Sequence, residues 1–155
     1  MTAANTGTAT HVHDDAVHDA PLNLLIIEDE ALVAMLVEDA LTLHGHRVVG
    51  IADTVASALA LADEDLPDLA LCDVKLADGD SGVTAAQLLA DRGIPCIFLS
   101  GNCPDRGGHP LVIGCIAKPF RAGSLGAAVR AAHQVATGAR PSDPPPSLRF
   151  YGEAR

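Results

Sequence analysis

The stretch Leu24–Glu30 reads LLIIEDE, an apolar run that ends in three acidic residues. Four further short runs rich in Leu, Ile and Val follow along the chain, and longer segments with helical periodicity separate them. This alternation is typical of a parallel sheet built from βαβ units. We therefore predict an α/β fold with five strands, at Leu24–Ile27, Val48–Ile51, Leu69–Cys72, Cys96–Leu99 and Gly114–Ala117.

The longer segments predict helices on the same periodicity argument. The first helix would end at His44 and Gly45, and its apolar face would carry Leu32, Leu36, Ala40 and Leu43. Further helices are predicted over Val55–Ala62, Thr84–Asp91 and Leu125–Ala136. Between the fourth and fifth strands the helical pattern is broken, so that helix is expected to be short or absent. The interrupting residues are Pro104, Gly107, Gly108 and Pro110.

The chain has 155 residues and 48% hydrophobic content, enough for one domain with a buried core and too little for two full-sized ones. We predict the domain over residues 21–137. Residues 1–20 are polar and are expected to form a disordered leader. Residues 138–155 contain the sequence PSDPPPS and are expected to form an extended, proline-rich tail.

Charge and hydropathy exclude several classes of protein. A net charge of -10 disfavours direct DNA binding through phosphate neutralisation. The longest clean apolar run, Ala31–Val37, is far shorter than the roughly 20 residues of a membrane-spanning helix. The N-terminus has neither the basic nor the apolar region of a secretory signal, so we expect a cytoplasmic protein.

The four cysteines lie singly along the chain, without a CxxC pair or a zinc-finger pattern. Cys72, Cys96 and Cys115 fall in or beside apolar strands and are predicted to be reduced core residues. Cys103 lies in the predicted loop before the fifth strand, where exposure is expected. A redox role for Cys103 is an alternative.

Polar residues follow four of the five predicted strands at the point where each strand ends. They are Glu28 and Asp29 after the first strand, Asp73 after the third, Ser100 after the fourth and Lys118 after the fifth. Binding sites in open α/β sheets form beyond the carboxyl ends of the strands, so these side chains are expected to share one rim. Taken singly, the acid pair could be an ordinary helix N-terminus and the Ser-Gly pair an ordinary turn.

Three neighbouring carboxylates repel one another unless a cation neutralises them. Mg²⁺ prefers such hard oxygen ligands, and we predict it as the cofactor. An aspartate beside the ion can attack a phosphoryl group and form an acyl phosphate, and Asp73 is the central candidate. Ser100 and Lys118 could bind the phosphoryl oxygens and spread their charge.

The four motifs LLIIEDE, LALCDVKL (Leu69–Leu76), IFLSGN (Ile97–Asn102) and IAKPF (Ile116–Phe120) resemble, in order, the receiver domain of two-component response regulators. The resemblance covers about residues 21–136. It implies a flavodoxin-like (βα)5 doubly wound parallel sheet with strand order 2-1-3-4-5. It also implies a phosphohistidine donor, carried by a histidine kinase or a histidine phosphotransfer protein.

Residue roles follow from the same resemblance. Asp73 would be the phosphoacceptor, Asp29 a direct magnesium ligand and Glu28 a largely water-mediated one. The backbone carbonyl of Lys75 would complete the protein's metal contacts. Ser100 would follow the phosphoryl group, Lys118 would pair with it, and the Lys118-Pro119 bond is expected to be cis.

Three departures from the family pattern affect the expected signal. Cys115 occupies the position, three residues before the lysine, where the family usually has a switch aromatic. The interval from Ser100 to Lys118 is short, in agreement with the broken helix. The loop KLADGDSG after Asp73 is slightly long, with Ala77 where proline is frequent. The motif FLSG (Phe98–Gly101) is similar to the FATG signature of an alphaproteobacterial subgroup of single-domain receivers.

The sequence thus predicts a single-domain response regulator that signals through protein contacts or serves as a phosphate sink, as a monomer or weak homodimer. It would catalyse only its own phosphorylation and dephosphorylation and would not be a metabolic enzyme. One alternative is a degenerate receiver that binds protein partners without phosphorylation. Another is a phosphohydrolase with an aspartyl nucleophile, which the lack of a D-x-D motif after the first strand disfavours.

Overall fold

The computed structural model describes residues 20–141 and 143–152, and most of the leader predicted over residues 1–20 lies outside this range. One sheet of six strands runs through the molecule in the order β2-β1-β3-β4-β5-β6. The first five strands pair in parallel, and β6 pairs antiparallel with β5. The strands are β1 Asn23–Ile27, β2 Arg47–Ala52, β3 Leu69–Cys72, β4 Cys96–Ser100, β5 Val112–Ala117 and β6 Leu148–Phe150. The predicted order 2-1-3-4-5 is confirmed.

In the described residues, four α-helices cover the two faces of the sheet. They are α1 Ala31–Leu43, α2 Val55–Glu64, α3 Gly82–Asp91 and α4 Ala122–Ala136, and a 3-10 turn spans Ala77–Gly79. Alternation along β1 explains the layering, because Leu24 and Ile26 pack with α1 and α4 while Leu25 and Ile27 pack with α2 and α3. None of the helices in the described part of the chain is long and apolar enough to cross a membrane.

The segment between β4 and β5 forms an irregular loop over residues 101–111, in agreement with its glycines and prolines. This loop is called the β4–β5 loop below. At the end of the loop that leads into β5, the carbonyl of Leu111 accepts the backbone N–H of Cys96 at 2.9 Å. The helix that was expected to be short or absent between β4 and β5 is absent, and this loop takes its place.

The sixth strand was not expected from the sequence, which placed Leu148–Phe150 in a proline-rich tail. Leu148 is buried against the layer of α1 and α4. The ring of Tyr151 packs edge-on against Phe98 in the opposite layer, with 6.3 Å between the ring centroids. A few apolar residues beyond the prolines therefore suffice to add this segment to the β5 edge.

The prediction that Cys115 is a reduced core thiol is wrong, because the structure joins Cys115 to Cys103 in a disulfide. The irregular β4–β5 loop folds back over β5 and brings the two Cα atoms to 6.0 Å, within the range that a disulfide spans. Cys72 and Cys96 are buried free thiols, as predicted. Burial raises the pKa of both, to about 12 for Cys96, so neither is a reactive thiolate.

Candidate functional site

Strand register brings the predicted polar residues to one edge of the sheet. Ile27 pairs with Cys72, so the residues that follow them, Glu28 and Asp73, emerge side by side. Ser100 pairs with Ala117, which places Lys118 next to the end of β4. The carboxyl ends of parallel strands meet at one rim, and the sequence placed these side chains there for that reason.

Lys118 lies between two carboxylates. Its Nζ donates to Oε1 of Glu28 at 3.1 Å and to Oδ2 of Asp73 at 3.4 Å. The Lys118 side chain is 21% exposed and that of Glu28 only 3%, so the pair is partly shielded from water. The Lys118-Pro119 peptide bond that follows is cis, as predicted.

Burial and charge act in opposite directions on the ionisation of this cluster. Burial raises the pKa of Glu28 from its ordinary 4.5 to about 7, against the hydrogen bonds from the Glu30 backbone and Lys118. Burial alone would lower the pKa of Lys118, but its hydrogen bonds and charge interactions with Glu28 and Asp73 raise it overall. The lysine therefore stays protonated and supplies a fixed positive charge beside Asp73.

Glu28, Asp29 and Asp73 form an acidic trio whose nearest ligand oxygens lie within 4.8 Å of one another. Glu28 is buried, Asp73 is half-buried and Asp29 is exposed, so the trio opens to solvent on one side. A cavity of about 560 Å³ is lined by Asp29 and Asp73 of the trio and by Lys75, Ser100 and Lys118. Carboxylate oxygens that open on a cavity fit Mg²⁺, which keeps several waters and takes few carboxylates.

The loop after β3 hydrogen-bonds to Asp73 and packs against it. The Lys75 backbone N–H donates to Oδ1 of Asp73 at 3.5 Å, and Oδ2 of Asp80 accepts the N–H of Val55 at 2.9 Å. Gly82 begins α3 directly beneath Asp73, where a Cβ would overlap the Asp73 carbonyl. The loop is thereby tied to α2 and packed closely under the phosphoacceptor candidate.

Ser100 ends β4 and is buried, but its hydroxyl is occupied locally. The hydroxyl donates to the carbonyl of Asn102 at 3.2 Å and accepts the Asn102 backbone N–H at 3.1 Å. Sequence reasoning placed Ser100 in the site but missed Asn102. The SGN triplet was a usable signal, because a serine two residues before a turn commonly bonds to the turn backbone.

All the residues predicted for the site therefore meet at one edge: Glu28, Asp29, Asp73, Lys75, Ser100 and Lys118. The arrangement can bind a divalent cation on the acidic side and an anionic group between Lys118 and Ser100. Asp73 belongs to the acidic trio, and its Oδ2 also accepts a hydrogen bond from Lys118. An aspartate placed beside a lysine and a group of carboxylates that can hold a cation is of the kind that can accept a phosphoryl group.

Comparison with known proteins agrees with this reading of the residues. A sequence model of the response regulator receiver domain matches residues 24–130. The chain is 40% identical over 116 residues to the phyllosphere-induced regulator PhyR of Methylorubrum extorquens, an alignment that covers 72% of this chain and 43% of that protein. The chain spans about half the length of the curated relatives it matches.

Solved structures lead to the same family. The crystal structure of the response regulator PhyR from Brucella abortus superposes with a TM-score of 0.67 at 32% identity, over 86% of this chain and 57% of that one. The receiver domain of PhyR from Erythrobacter litoralis, solved by NMR, gives 0.62 at 31% identity, over 81% of this chain and 96% of that one. The chain belongs to the family of response regulator receiver domains.

Proposed function

We propose that this receiver accepts a phosphoryl group on Asp73 from a phosphohistidine of a histidine kinase or histidine phosphotransfer protein. The observation that carries the proposal is the position of Lys118, 3.4 Å from Asp73 and beside the acidic trio. A lysine that neutralises the acceptor carboxylate can also balance the negative charge of an incoming phosphoryl group. No metabolic substrate is needed, and we propose that the chemistry is confined to the receiver's own phosphorylation and dephosphorylation.

The transfer balances as a displacement at phosphorus. A carboxylate oxygen of Asp73 attacks the phosphorus, the P–N bond of the phosphohistidine breaks, and the imidazole nitrogen leaves with the electron pair and takes up a proton. Lys118 binds one phosphoryl oxygen and Ser100 donates to another, which spreads the developing charge. Later attack of water on the phosphorus releases inorganic phosphate and restores the carboxylate.

The acidic trio would hold Mg²⁺ through Asp29 and Asp73, with Glu28 behind them and the Lys75 carbonyl completing the protein ligands. When bound, the ion supplies positive charge that offsets the carboxylates and the phosphoryl oxygens. Glu28 then has two partners for its negative charge, the ion and Lys118. Its buried carboxylate is thereby kept ionised in the loaded site.

The output is proposed to be a changed protein surface, because phosphorylation adds charge to a pocket that is already acidic. That surface either meets a protein partner or leaves the receiver to act as a phosphate sink. The overall charge of -10 disfavours direct contact with DNA. Placement in the cytoplasm, with the phosphohistidine donors, is part of the same proposal.

Intact-protein mass spectrometry tests this function. The protein is incubated with a small acyl phosphate as donor, with and without Mg²⁺, and compared with Asp73→Asn and Asp78→Asn. Asp78 is a matched control because it is exposed in the loop after β3, and its positive φ of 60° suits asparagine. We expect one phosphoryl adduct that requires Mg²⁺, is lost in Asp73→Asn and persists in Asp78→Asn.

A second candidate is a receiver that binds a protein partner without phosphorylation. The disulfide at Cys115 favours it, because the position of the usual switch aromatic is covalently held. The absence of an adduct with the acyl phosphate and with phosphorylated histidine kinases would support this candidate. An adduct on Asp78→Asn and on Asp73→Asn alike would contradict both.

A further inference from the structure

Two separate sets of interactions hold the β4–β5 loop close to the phosphoacceptor site: a disulfide and hydrogen bonds from the C-terminal segment. The Cys103–Cys115 disulfide joins it to β5. From β6 and its end, Arg149 donates to the Pro104 carbonyl at 3.0 Å and the Tyr151 hydroxyl donates to the same carbonyl at 2.6 Å. Three consecutive residues, Asn102 to Pro104, therefore carry two hydrogen bonds with Ser100, a covalent link, and two hydrogen bonds from Arg149 and Tyr151.

The hydroxyl of Ser100 is committed to this fastened backbone. A hydroxyl has one O–H to donate, and Ser100 gives it to the Asn102 carbonyl. To donate to a phosphoryl oxygen on Asp73, the hydroxyl must leave Asn102 or the Asn102 peptide must move. Asn102 directly precedes Cys103, so the disulfide restrains that movement.

The two sulfur atoms differ in access. Cys115 is 1% exposed in the middle of β5, where it pairs with Phe98 on one side and Arg149 on the other. Cys103 lies in the irregular loop and is only half-buried. An attacking thiolate therefore reaches Cys103 Sγ more readily than Cys115 Sγ.

We propose that the Cys103–Cys115 disulfide is a reversible redox-modification site that holds Ser100 on the Asn102 backbone and thereby restrains phosphoryl acceptance at Asp73. The part of this inference that concerns Asp73 rests on the proposed function. The oxidised protein is the restrained form. Reduction frees the β4–β5 loop and allows Ser100 to reach the phosphoryl group.

The redox step needs a dithiol reductant and, in reverse, a hydroperoxide. A dithiol attacks Cys103 Sγ, the S–S bond breaks, and the second thiol completes the exchange to give two protein thiols and one cyclic reductant disulfide. In reverse, Cys103 thiolate attacks the peroxide oxygen and gives a sulfenic acid and an alcohol or water. The Cys115 thiol then displaces a water molecule from that sulfur and restores the disulfide.

The proposed cytoplasmic setting favours regulation over simple stabilisation. Glutathione and thioredoxin keep most cytosolic thiols reduced, and the disulfides that do form there are usually transient, catalytic or redox-sensing. The hydrogen bonds from Arg149 and Tyr151 to Pro104 do not depend on the disulfide. The loop can therefore stay hydrogen-bonded to the C-terminal segment when the disulfide is broken.

The first test counts thiols and follows loop motion. Folded protein is treated with dithiothreitol or with hydrogen peroxide, then unfolded and alkylated; we expect four alkylated cysteines after the reductant and two, Cys72 and Cys96, after the peroxide. Amide hydrogen exchange of residues 101–111 should be at least ~10-fold faster in the reduced protein. Cys103→Ser should exchange at the fast rate under both treatments, which makes it the matched control for effects of the reagents.

The second test measures the rate of phosphoryl acceptance from a small acyl phosphate with Mg²⁺. We expect the reduced protein and Cys103→Ser to be several-fold faster than the oxidised protein, and Cys103→Ala to match Cys103→Ser. A disulfide that dithiothreitol does not open in the folded protein, or an exchange rate unaffected by reduction, overturns the redox site. Equal rates in both redox forms, or a faster oxidised form, overturn its coupling to Asp73.

The two proposals fail in different ways. If neither redox form nor Cys103→Ser accepts a phosphoryl group, the proposed function fails and so does the coupling to Asp73. The thiol count and hydrogen exchange still decide whether the disulfide controls the loop. If phosphorylation occurs at one rate in all forms, the receiver function stands and the redox control is wrong.

Discussion

The strand ends of β1, β3 and β5 differ from the β6 edge of the sheet in how their structure is specified. That edge, together with the β4–β5 loop that packs on it, is called the margin below. At the strand ends, Glu28, Asp73 and Lys118 each follow an apolar strand directly, and parallel pairing brings them together. At the margin, Cys103 comes from the irregular β4–β5 loop, while Arg149 and Tyr151 come from β6 and its end, more than 40 residues later. Local pattern specifies the first region, and long-range packing specifies the second.

The comparison suggests a division of roles. The strand-end cluster of Glu28, Asp73 and Lys118 supplies the charges that the proposed phosphoryl transfer requires, and regular strands hold them in place. The margin supplies what is particular to this chain, a loop without a helix that is held by a disulfide and a sixth strand. Changes in the first region should therefore affect chemistry, and changes in the second should affect stability and loop motion.

The largest expected effect lies at the margin. Tyr151→Ala removes a ring that is 8% exposed and packed on Phe98, and should lower the free energy of unfolding by about 3 kcal/mol. Tyr151→Phe keeps the ring and loses the hydrogen bonding of the hydroxyl, including the bond to Pro104, so its cost should be about 1 kcal/mol. Urea denaturation followed by circular dichroism, with the disulfide intact, measures both.

The Tyr151 pair decides whether β6 belongs to the core. A loss below about 0.5 kcal/mol for Tyr151→Ala is the size of an ordinary surface substitution and would contradict it. Equal losses in the two variants would assign the whole effect to the hydroxyl. Neither variant should change the dependence of phosphoryl acceptance on Mg²⁺.

At the strand ends, Lys118→Ala should slow phosphoryl acceptance by about 100-fold, because it removes the charged donor nearest Asp73. Arg121→Ala is the matched control, since it removes one positive charge from an exposed side chain three residues later. The rate is followed by intact mass after mixing with the acyl phosphate. A rate for Lys118→Ala equal to that of Arg121→Ala would remove Lys118 from the proposed chemistry.

Sequence reasoning reached the strand-end cluster because its determinants are local. The positions after β1, β3 and β5 could be read once the apolar strands were recognised, and their meeting at one rim followed from parallel pairing. Helix ends were predicted within a few residues, with α3 and α4 beginning earlier than expected, at Gly82 and Ala122.

The margin could not be read in the same way. The spacing of Cys103 and Cys115 matches no disulfide motif, and only the fold of the β4–β5 loop brings them within bonding distance. The short run Leu148–Phe150 follows three consecutive prolines and has too few apolar residues to indicate a strand by pattern alone. The similarity of FLSG to the FATG signature and the division of the chain at residues 20 and 137 remain predictions.

A smaller effect should appear in the pH dependence of Mg²⁺ binding. The pKa of Glu28 is about 7 in the folded protein, raised by burial, so below that pH a proton competes with the cation. Affinity should rise about tenfold between pH 6 and pH 8 and level off above, as measured by titration calorimetry. Glu28→Gln should bind more weakly at all pH values and show a flatter profile.

In the metal-free protein, the raised pKa of Glu28 makes the free energy of unfolding fall as the pH rises. The folded protein binds this proton more tightly than the unfolded chain does, because the pKa rises from 4.5 to about 7. Ionisation of Glu28 therefore removes stability as the pH rises through this interval, and bound Mg²⁺ should offset the loss. Burial lowers the pKa of His46, which has the opposite effect on stability, so comparison with metal-free Glu28→Gln isolates the contribution of Glu28. The same pH dependence of the unfolding free energy in both proteins would contradict the Glu28 contribution.

The central claim is that Asp73 itself forms the acyl phosphate, and chemical trapping tests it most directly. After incubation with the acyl phosphate and Mg²⁺, borohydride reduces a phosphorylated aspartate to homoserine. Trypsin then releases the peptide 48–75, which contains Asp73 together with several other acids. Fragmentation of this peptide is predicted to locate homoserine at position 73 alone, and only when Mg²⁺ was present. Homoserine at another acid, or an adduct on the intact protein with Asp73 unmodified, would contradict the account.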